Sequence, residues 1–196
     1  MFELGEPLHA FDWDVIQRRA GSTRPTIITR RAMPGETLKT LDNVDRTLDQ
    51  DTVLVCDTSG PLSLAGVMGG AESEVSASST NILLEGAAWD FINIRKTVKA
   101  QSLPSEASYR FSRGVHPALA ERGVKRALGL MHEWAGGHVA EGLVDRYPGK
   151  LDPPVVDITP ACVERQLGVR MDVDETTLRE IATGESTCFG DSGGPL

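Results

Sequence analysis

The sequence predicts a mixed α/β fold in which helices flank a β-sheet core. Short β-branched or apolar runs separated by turn residues fill the first half, and apolar residues at helical spacing fill the second half. The chain has 196 residues, and 40% of them are hydrophobic, which suits a domain of ordinary size with its own core. The content of charged residues, 24%, is typical of a soluble protein.

Strands are expected in the first half. The expected strands are, in order, residues 26–31, 38–41, 45–48, 53–56 and 82–84. Asp42-Asn43 between the second and third of these strands is typical of a hairpin turn. The last two runs are continuously apolar, as expected for strands that are buried on both faces.

Helices are expected after the last strand. Asp90 suits the cap of a helix over residues 91–99, and Pro117 suits the first position of a second helix that ends at Gly136. That second helix carries an apolar stripe that we expect to lie in the core. The stripe comprises Val124, Ala127, Leu128, Met131 and Trp134.

The last fifty residues predict a separate arrangement. Residues 147–154 are typical of a linker, and residues 155–158 of a strand. A helix is expected from Thr159 to Gly168, and another over residues 174–181.

Composition excludes several classes of protein. The net charge of −8 argues against a protein that coats nucleic acid non-specifically. No apolar run approaches the roughly 20 residues that cross a bilayer, and the acidic start lacks the features of a signal peptide. Cys56, Cys162 and Cys188 lie far apart, which favours reduced thiols in the cytoplasm over disulfides or a zinc site. We therefore expect a cytoplasmic protein with no membrane partner and no metal site.

One segment has the opposite charge to the whole. Between residues 95 and 113, five cations face one acid, Glu106, which gives a local charge of +4. The cations are Arg95, Lys96, Lys99, Arg110 and Arg113. Such a cluster could hold a few phosphates, and from charge alone a solvated helix face is an equal alternative.

Three further features are candidates for a binding site. Glu85 ends an apolar strand, which by itself fits an acid that faces water. His9 lies near the start, where a lone histidine is more often structural. The glycine segment, residues 66–70, fits either a sharp bend or a close approach of backbone to a ligand.

Four segments together resemble the editing domain of the β subunit of phenylalanyl-tRNA synthetase. They are residues 3–12, 64–70, 81–85 and 106–115, in the same order and with similar spacing. The resemblance covers residues 1–137 and continues more weakly through Ile181. It implies a tRNA-binding editing domain over residues 1–150 that lacks its opening part. This domain is followed by the start of the next module over residues 151–182. An unrelated or disordered tail comes last, over residues 183–196.

The resemblance implies that this domain hydrolyses tyrosine wrongly attached to the phenylalanine tRNA. An apolar pocket rejects an added hydroxyl poorly, whereas a site that hydrogen-bonds the hydroxyl rejects the analogue without it by roughly 10⁴ or more. Glu85 matches the acceptor of that hydroxyl. His9 matches the histidine of the pocket, which orients the terminal adenosine or a water and is a possible general base.

Smaller residues complete the implied pocket. Ser105 stands where the family often has threonine, and Ala107 matches a small pocket-lining residue. Gly66, Gly69 and Gly70 would let backbone approach the aminoacyl group. For all of these residues, ordinary turn and packing positions are an equal alternative.

The resemblance also implies partners for the whole enzyme. These are the phenylalanine tRNA, contacted by the five cations of residues 95–113, and an α subunit in an α2β2 heterotetramer. ATP and magnesium serve the whole enzyme, and no cofactor is expected in this chain. Ser112 and His116 depart from the family pattern, which has glutamate and aspartate there, so packing or charge pairing differs beside the pocket.

Two alternatives remain. The chain fits a tRNA- or subunit-binding module without hydrolysis of its own. Residues 188–196 match the nucleophile loop of trypsin-like proteases, in which Ser192 attacks and the N–H groups of Gly190 and Ser192 form the oxyanion hole. The upstream histidine context of that family is missing, so we expect this tail to be an unrelated appendage.

Overall fold

The computed structural model describes residues 1–150 and 159–168. The chain divides into two compact units, Met1–Gly137 and His138–Leu196. The first unit contains, in order, β1 (Leu8–Asp12), α1 (Trp13–Ala20), β2 (Ile28–Arg31), β3 (Thr37–Lys39), β4 (Asp45–Thr47), β5 (Val53–Asp57), β6 (Gly60–Leu64), β7 (Met68–Gly69), a 3₁₀ turn (Ala71–Ser73), β8 (Ile82–Gly86), α2 (Phe91–Gln101), α3 (Glu106–Phe111) and α4 (Ala118–Ala135). These elements confirm the mixed α/β class.

The strands form three small antiparallel sheets. Four strands pair in the order β2-β5-β6-β7, β1 pairs with β8, and β3 pairs with β4 as the predicted hairpin. A single bridge between Thr40 and Gly70 joins the end of β3 to the end of β7. The glycine segment therefore supplies the last strand of the larger sheet and also lies next to the hairpin.

The burial of the two apolar strands differs. Four of the five residues of β5 are buried, because this strand lies between β2 and β6 and is covered by core side chains. All five residues of β8 are only half-buried, because β8 has one neighbouring strand. The expectation of burial on both faces is correct for residues 54–56, whereas Val53 is half-buried, and it is wrong for residues 82–84.

Two groups of buried apolar side chains form the core of the first unit. The larger group is Ala32, Leu38, Leu48, Leu54, Cys56, Leu64, Val67, Ile94, Leu103 and Phe111. The smaller group is Phe11, Ile16, Val55, Leu62 and Ala65. The half-buried Trp89 packs against both groups, so the indole connects them.

Side-chain caps set the start of three helices in the first unit. Asp12 accepts from the Val15 N–H at 3.0 Å at the start of α1, and Asp90 accepts from the Asn93 N–H at 2.7 Å at the start of α2. The predicted cap at Asp90 is confirmed. Ser105 caps α3, a helix that the sequence analysis did not anticipate.

The apolar stripe of α4 is only partly in the core. Val124 is 7% exposed, whereas Met131 is 37% exposed and Trp134 is 76% exposed, so the expectation that these last two residues are buried is wrong. These two residues are exposed because α4 is longer than the strands that it contacts. An 18-residue helix extends about 27 Å, and the five-residue strands β1 and β8 that it contacts extend about 17 Å.

The start of α4 also differs slightly from the prediction. Pro117 is the N-cap rather than the first helical residue, and the Ala118 N–H donates to His116 Nδ1 at 3.2 Å. The imidazole thereby satisfies one of the free N–H groups at the helix start.

The second unit confirms one predicted helix. Helix α5 spans Pro160–Leu167, and the Thr159 side chain accepts from the Cys162 N–H. The strand expected at residues 155–158, the helix at 174–181 and the tail with Ser192 lie outside the described residues. Cys56 and Cys162 are free thiols, and Cys188 also lies outside the described residues. No helix in the described parts of the chain is long and apolar enough to span a membrane.

Gly66 provides a test of the packing. Its φ is +67°, and a Cβ there would lie 2.5 Å from Trp89 Cδ1 and 2.8 Å from Ile94 Cδ1. Gly66→Ala should lower the free energy of unfolding by about 2–5 kcal/mol, because overpacking adds to the cost of a left-handed backbone. Urea denaturation of the whole chain measures it.

Gly35→Ala is the matched control. Gly35 has a φ of +76° but no atom within 4 Å of the added Cβ, so only the backbone cost of about 1–2 kcal/mol remains. Equal losses for the two variants would contradict the packing at Gly66.

Candidate active site

A small cleft brings together most of the predicted pocket residues. Its volume is about 60 Å³. Its lining comprises Pro7, Leu8, His9, Ser63, Leu64, Gly66, Val67, Met68, Gly69, Glu85, Trp89, Ala107 and Phe111. His9, Glu85, Gly66, Gly69 and Ala107 are the predicted residues among them.

Strand pairing fixes His9 relative to Glu85. The two residues stand directly opposite each other in the antiparallel β1–β8 pair, so their side chains lie on the same face. The His9 imidazole also contacts Phe11 edge-on, with ring centroids 4.5 Å apart. The segments 3–12 and 81–85, which are remote in sequence, thus meet in one pair of strands.

Gly69 allows the imidazole to occupy its position. A Cβ at Gly69 would lie 2.5 Å from His9 Cε1 and 2.8 Å from His9 Nε2. Backbone therefore forms the wall of the cleft at this point, and any larger residue would displace the imidazole.

Glu85 carries one buried oxygen that the described residues leave unpaired. Its Oε2 atom is buried and makes no hydrogen bond to the described residues, although the residue as a whole is half-buried. Burial raises the pKa of Glu85 from 4.5 to about 7. The carboxyl group therefore lacks a hydrogen bond that a hydroxyl group in the cleft would supply.

Burial favours the neutral form of His9. Burial lowers the pKa of His9 below its ordinary value of 6.5. A neutral imidazole has one nitrogen that can accept a proton, so the residue can act as a base toward a water molecule or a ribose hydroxyl.

Two predicted residues are not brought to the cleft. The Ser105 hydroxyl donates to the Val67 carbonyl at 2.7 Å and accepts from the Ser108 N–H at 3.1 Å. Gly70 lies against the Leu62 carbonyl of β6, 2.5 Å from where its Cβ would be, and is not among the residues that line the cleft. Ser105 therefore holds the glycine segment in place, and Gly70 permits tight strand packing.

Other residues of the lining were missed from the sequence. Trp89, Met68 and Phe111 form apolar walls of the cleft. Phe111 follows Ala107 by four residues, so the two share one face of α3. The four-residue spacing could have indicated from the sequence that Phe111 lines the cleft together with Ala107. It does so only if residues 106–111 are first recognised as a helix.

A second buried acid lies next to this region. Glu6 is 1% exposed, and both of its carboxylate oxygens are buried without a hydrogen bond of good geometry to the described residues, although the Ala87 N–H lies near enough to act against the rise in its pKa. Burial raises the pKa of Glu6 from 4.5 to about 7. Its side chain packs against Gly123 of α4, where a Cβ would lie 2.8 Å from Glu6 Cγ. It was not anticipated from the sequence.

The predicted cationic residues lie on α2, on α3 and just after α3. Lys96 pairs with Asp51 at 3.4 Å, and Arg110 pairs with Glu106 at 3.6 Å. Arg95 Nε donates to the Ser112 carbonyl at 2.8 Å. Ser112 is one of the two residues that depart from the family pattern, and its backbone carbonyl thus anchors an arginine. Within residues 1–150 and 159–168, no group of three or more histidine, cysteine or acidic side chains could hold a metal ion.

Comparisons with known proteins identify relatives over most of the chain. The family model of the B3/4 domain matches residues 1–136. The chain is 42% identical over 181 residues to the phenylalanine–tRNA ligase beta subunit of Moorella thermoacetica, which covers 92% of this chain and 22% of the relative. It is 49% identical over 140 residues to the corresponding Synechococcus protein, covering 71% of this chain and 17% of the relative. The chain thus spans about a fifth of the length of these curated relatives.

The pH dependence of stability tests the burial of Glu85. Its folded pKa of about 7 exceeds the ordinary 4.5, so its stabilising contribution is complete below pH 4.5 and is lost as the pH rises through 7. Glu85→Gln mimics the neutral acid. Relative to the wild type, this variant should gain about 3 kcal/mol in unfolding free energy between pH 4.5 and pH 8. Urea denaturation across that range measures the gain, and a difference that does not change with pH would contradict the burial.

A double-mutant cycle tests the contact between Gly69 and His9. Gly69→Ala alone should cost about 1–3 kcal/mol of unfolding free energy, because the imidazole must move. In a His9→Ala background the same substitution should cost much less, since of the three nearest atoms only Leu41 Cδ1, at 3.1 Å, remains. Strict additivity of the two substitutions in thermal or urea unfolding would show that His9 does not lie against Gly69.

Proposed function

The chain belongs to the B3/4 domain family, and from that membership and the cleft we propose that it binds the aminoacyl end of the phenylalanine tRNA and hydrolyses tyrosine wrongly attached there. The proposal takes the chain as a segment of a phenylalanine–tRNA ligase β subunit, the name that its relatives carry. The main support is the unpartnered Oε2 atom of Glu85.

Glu85 is suited to recognise a phenolic hydroxyl. A buried oxygen without a partner costs free energy, and a tyrosine hydroxyl would supply the missing hydrogen bond, whereas phenylalanine would leave the oxygen unpaired. The surrounding Trp89 and Phe111 provide apolar contacts for the ring. The site would therefore discriminate through one polar atom within apolar walls.

His9 lies opposite Glu85 and is the candidate base. In the proposed reaction, a water attacks the ester carbonyl carbon, the bond from that carbon to the ribose oxygen breaks, and the ribose oxygen takes up a proton. The neutral imidazole can accept the proton of the water and return it to the leaving ribose oxygen. A ribose hydroxyl of the substrate is the other group that can assist.

The size of the cleft sets a condition on this function. Its volume of about 60 Å³ is far below the roughly 300 Å³ or more of typical small-molecule sites, so side chains at its mouth must move to admit an aminoacyl ester. This same observation favours the second candidate function, a module that binds tRNA or another subunit without hydrolysis.

The similarity to phenylalanine–tRNA ligase β subunits also leads us to propose properties of the whole enzyme. They are a partnership with an α subunit in an α2β2 assembly, the use of ATP and magnesium in aminoacylation at a site outside this chain, and a cytoplasmic location. Ser105 is assigned a positioning role toward the glycine segment, since its hydroxyl is occupied by Val67 and Ser108.

Deacylation of mischarged tRNA tests the proposal. Glu85→Ala should slow hydrolysis of tyrosyl-tRNA(Phe) by about 10²-fold or more and leave the slow hydrolysis of phenylalanyl-tRNA(Phe) unchanged, so discrimination is lost. Release of labelled amino acid, measured with the whole chain alone and with an added α subunit, gives both rates.

Glu74→Ala is the matched control, because Glu74 is an exposed acid outside the cleft. Unchanged discrimination in Glu85→Ala would remove Glu85 from its assigned role. Retained tRNA affinity by filter binding without any hydrolysis, in the wild type and with the α subunit present, would establish the binding module instead.

A further inference from the structure

Arginine side chains stack on exposed aromatic rings around α3. The Arg113 guanidinium lies 3.4 Å from the centroid of Tyr109, and that of Arg95 lies 5.1 Å from the centroid of Phe91. The Arg110 guanidinium lies 5.2 Å from the centroid of Phe2. Each pair combines a planar cation with an apolar ring.

The first two pairs form one continuous patch. Arg95 of α2 donates to the carbonyl of Ser112, the residue directly before Arg113, and Arg113 Nη1 donates to the Tyr109 carbonyl at 2.7 Å. We call Phe91, Arg95, Tyr109 and Arg113 the stacked patch. These hydrogen bonds hold both guanidinium groups in place, so little side-chain entropy remains to be lost when a ligand binds.

The patch is accessible and positively charged. Tyr109 is 55% exposed and Phe91 is 42% exposed. Neither arginine of the patch has a carboxylate within salt-bridge distance among the described residues, whereas neighbouring Lys96 and Arg110 do. Both cations are therefore available to an anionic ligand.

The chemistry of the patch favours a nucleic acid with unpaired bases. Phosphates alone would need the cations but not two exposed rings, and a purely apolar partner would leave the cations unpaired. Unstacked bases bind on aromatic rings and guanidinium planes, while cations contact the phosphates between them. A paired helix keeps its bases stacked inside and cannot use the rings in this way.

The position of α3 connects the patch to the cleft. Ala107 and Phe111 line the cleft from one face of this helix, Tyr109 lies midway between them in sequence and so on the opposite face, and Arg113 follows two residues after the helix ends. A single strand of RNA that lies on the patch can therefore place its end at the mouth of the cleft.

We propose that the stacked patch binds two or more unpaired nucleotides of a single-stranded RNA end through base stacking on Phe91, Tyr109 and their arginine partners. This inference rests on the proposed function, because it identifies the RNA strand that leads into the cleft. It goes beyond the expected phosphate contacts of the cations, since it assigns base contacts to residues that the sequence analysis did not select.

Binding of short oligonucleotides to the whole chain tests the inference. The probes are a fluorescein-labelled single-stranded ribohexanucleotide and an abasic hexamer with the same number of phosphates, measured by fluorescence anisotropy. Stacking is worth about 5- to 150-fold in affinity per base, so the ribohexanucleotide should bind at least about tenfold more tightly. Equal affinities would overturn the proposal, as would equally tight binding of a duplex with the same sequence.

Substitutions then assign the contact. Tyr109→Leu and Phe91→Leu should each weaken binding of the ribohexanucleotide about tenfold and leave binding of the abasic hexamer unchanged. Arg113→Lys keeps the charge but removes the planar group, and should produce the same selective loss. Trp134→Leu removes another exposed ring that is not in the patch and should have no effect.

The outcomes separate this inference from the hydrolysis proposal. The oligonucleotides carry no ester, so loss of editing activity cannot explain a change in their binding, and the Glu85 result does not depend on them. Thermal unfolding checks that each variant is folded, and Arg113→Lys keeps the test available if Tyr109→Leu is not. Weakening of both probes to the same extent would show that the patch contacts phosphates only.

Discussion

Close approach of the backbone in the glycine segment is the constraint on which the first unit depends. Gly66 leaves room for Trp89 and Ile94, Gly69 for the His9 imidazole, and Gly70 for the Leu62 carbonyl. One short segment thus contacts the core, the cleft and the larger sheet, and at each contact a Cβ atom would collide. The Ser105 hydroxyl fixes this segment through the Val67 carbonyl. The glycine segment therefore determines both the packing of the core and the geometry of the cleft. A substitution in this segment that changes one of them also changes the other.

The cost of burying Glu85 follows from that geometry. Because strand pairing places the acid on the same face as His9, its carboxyl group enters a mostly apolar cleft in which no group of the described residues donates to Oε2. A pKa of about 7 means that near neutral pH the group is divided between its acid and carboxylate forms, and either form can accept a hydrogen bond from a phenol. An acid already bonded within the protein would be more stable and less selective, since a ligand would then have to displace its partner.

Much of the fold could be predicted from the sequence, and less of the site. Asp90 and the hairpin at Asp42-Asn43 carry local signals, and both were predicted correctly. Strand β6 contains Gly60 and Pro61, so its strand character comes from pairing with β5 and not from propensity. The exposure of Trp134 depends on the length of the strands beneath α4, which the periodicity of a helix does not contain.

The role of a single polar residue in the site is likewise hard to predict from the sequence. A serine hydroxyl can cap a helix or face a ligand, and only the positions of Val67 and Ser108 show that Ser105 does the former. Two features meet at α3: one face lines the cleft, and the opposite face carries Tyr109, on whose ring the guanidinium of Arg113 stacks from just beyond the helix end. Because α3 is one rigid helix of six residues, an RNA strand bound at Tyr109 would lie at a fixed distance from the cleft on the opposite face. Recognition of the amino acid and positioning of its carrier would then be coupled through the rigidity of one turn and a half of helix.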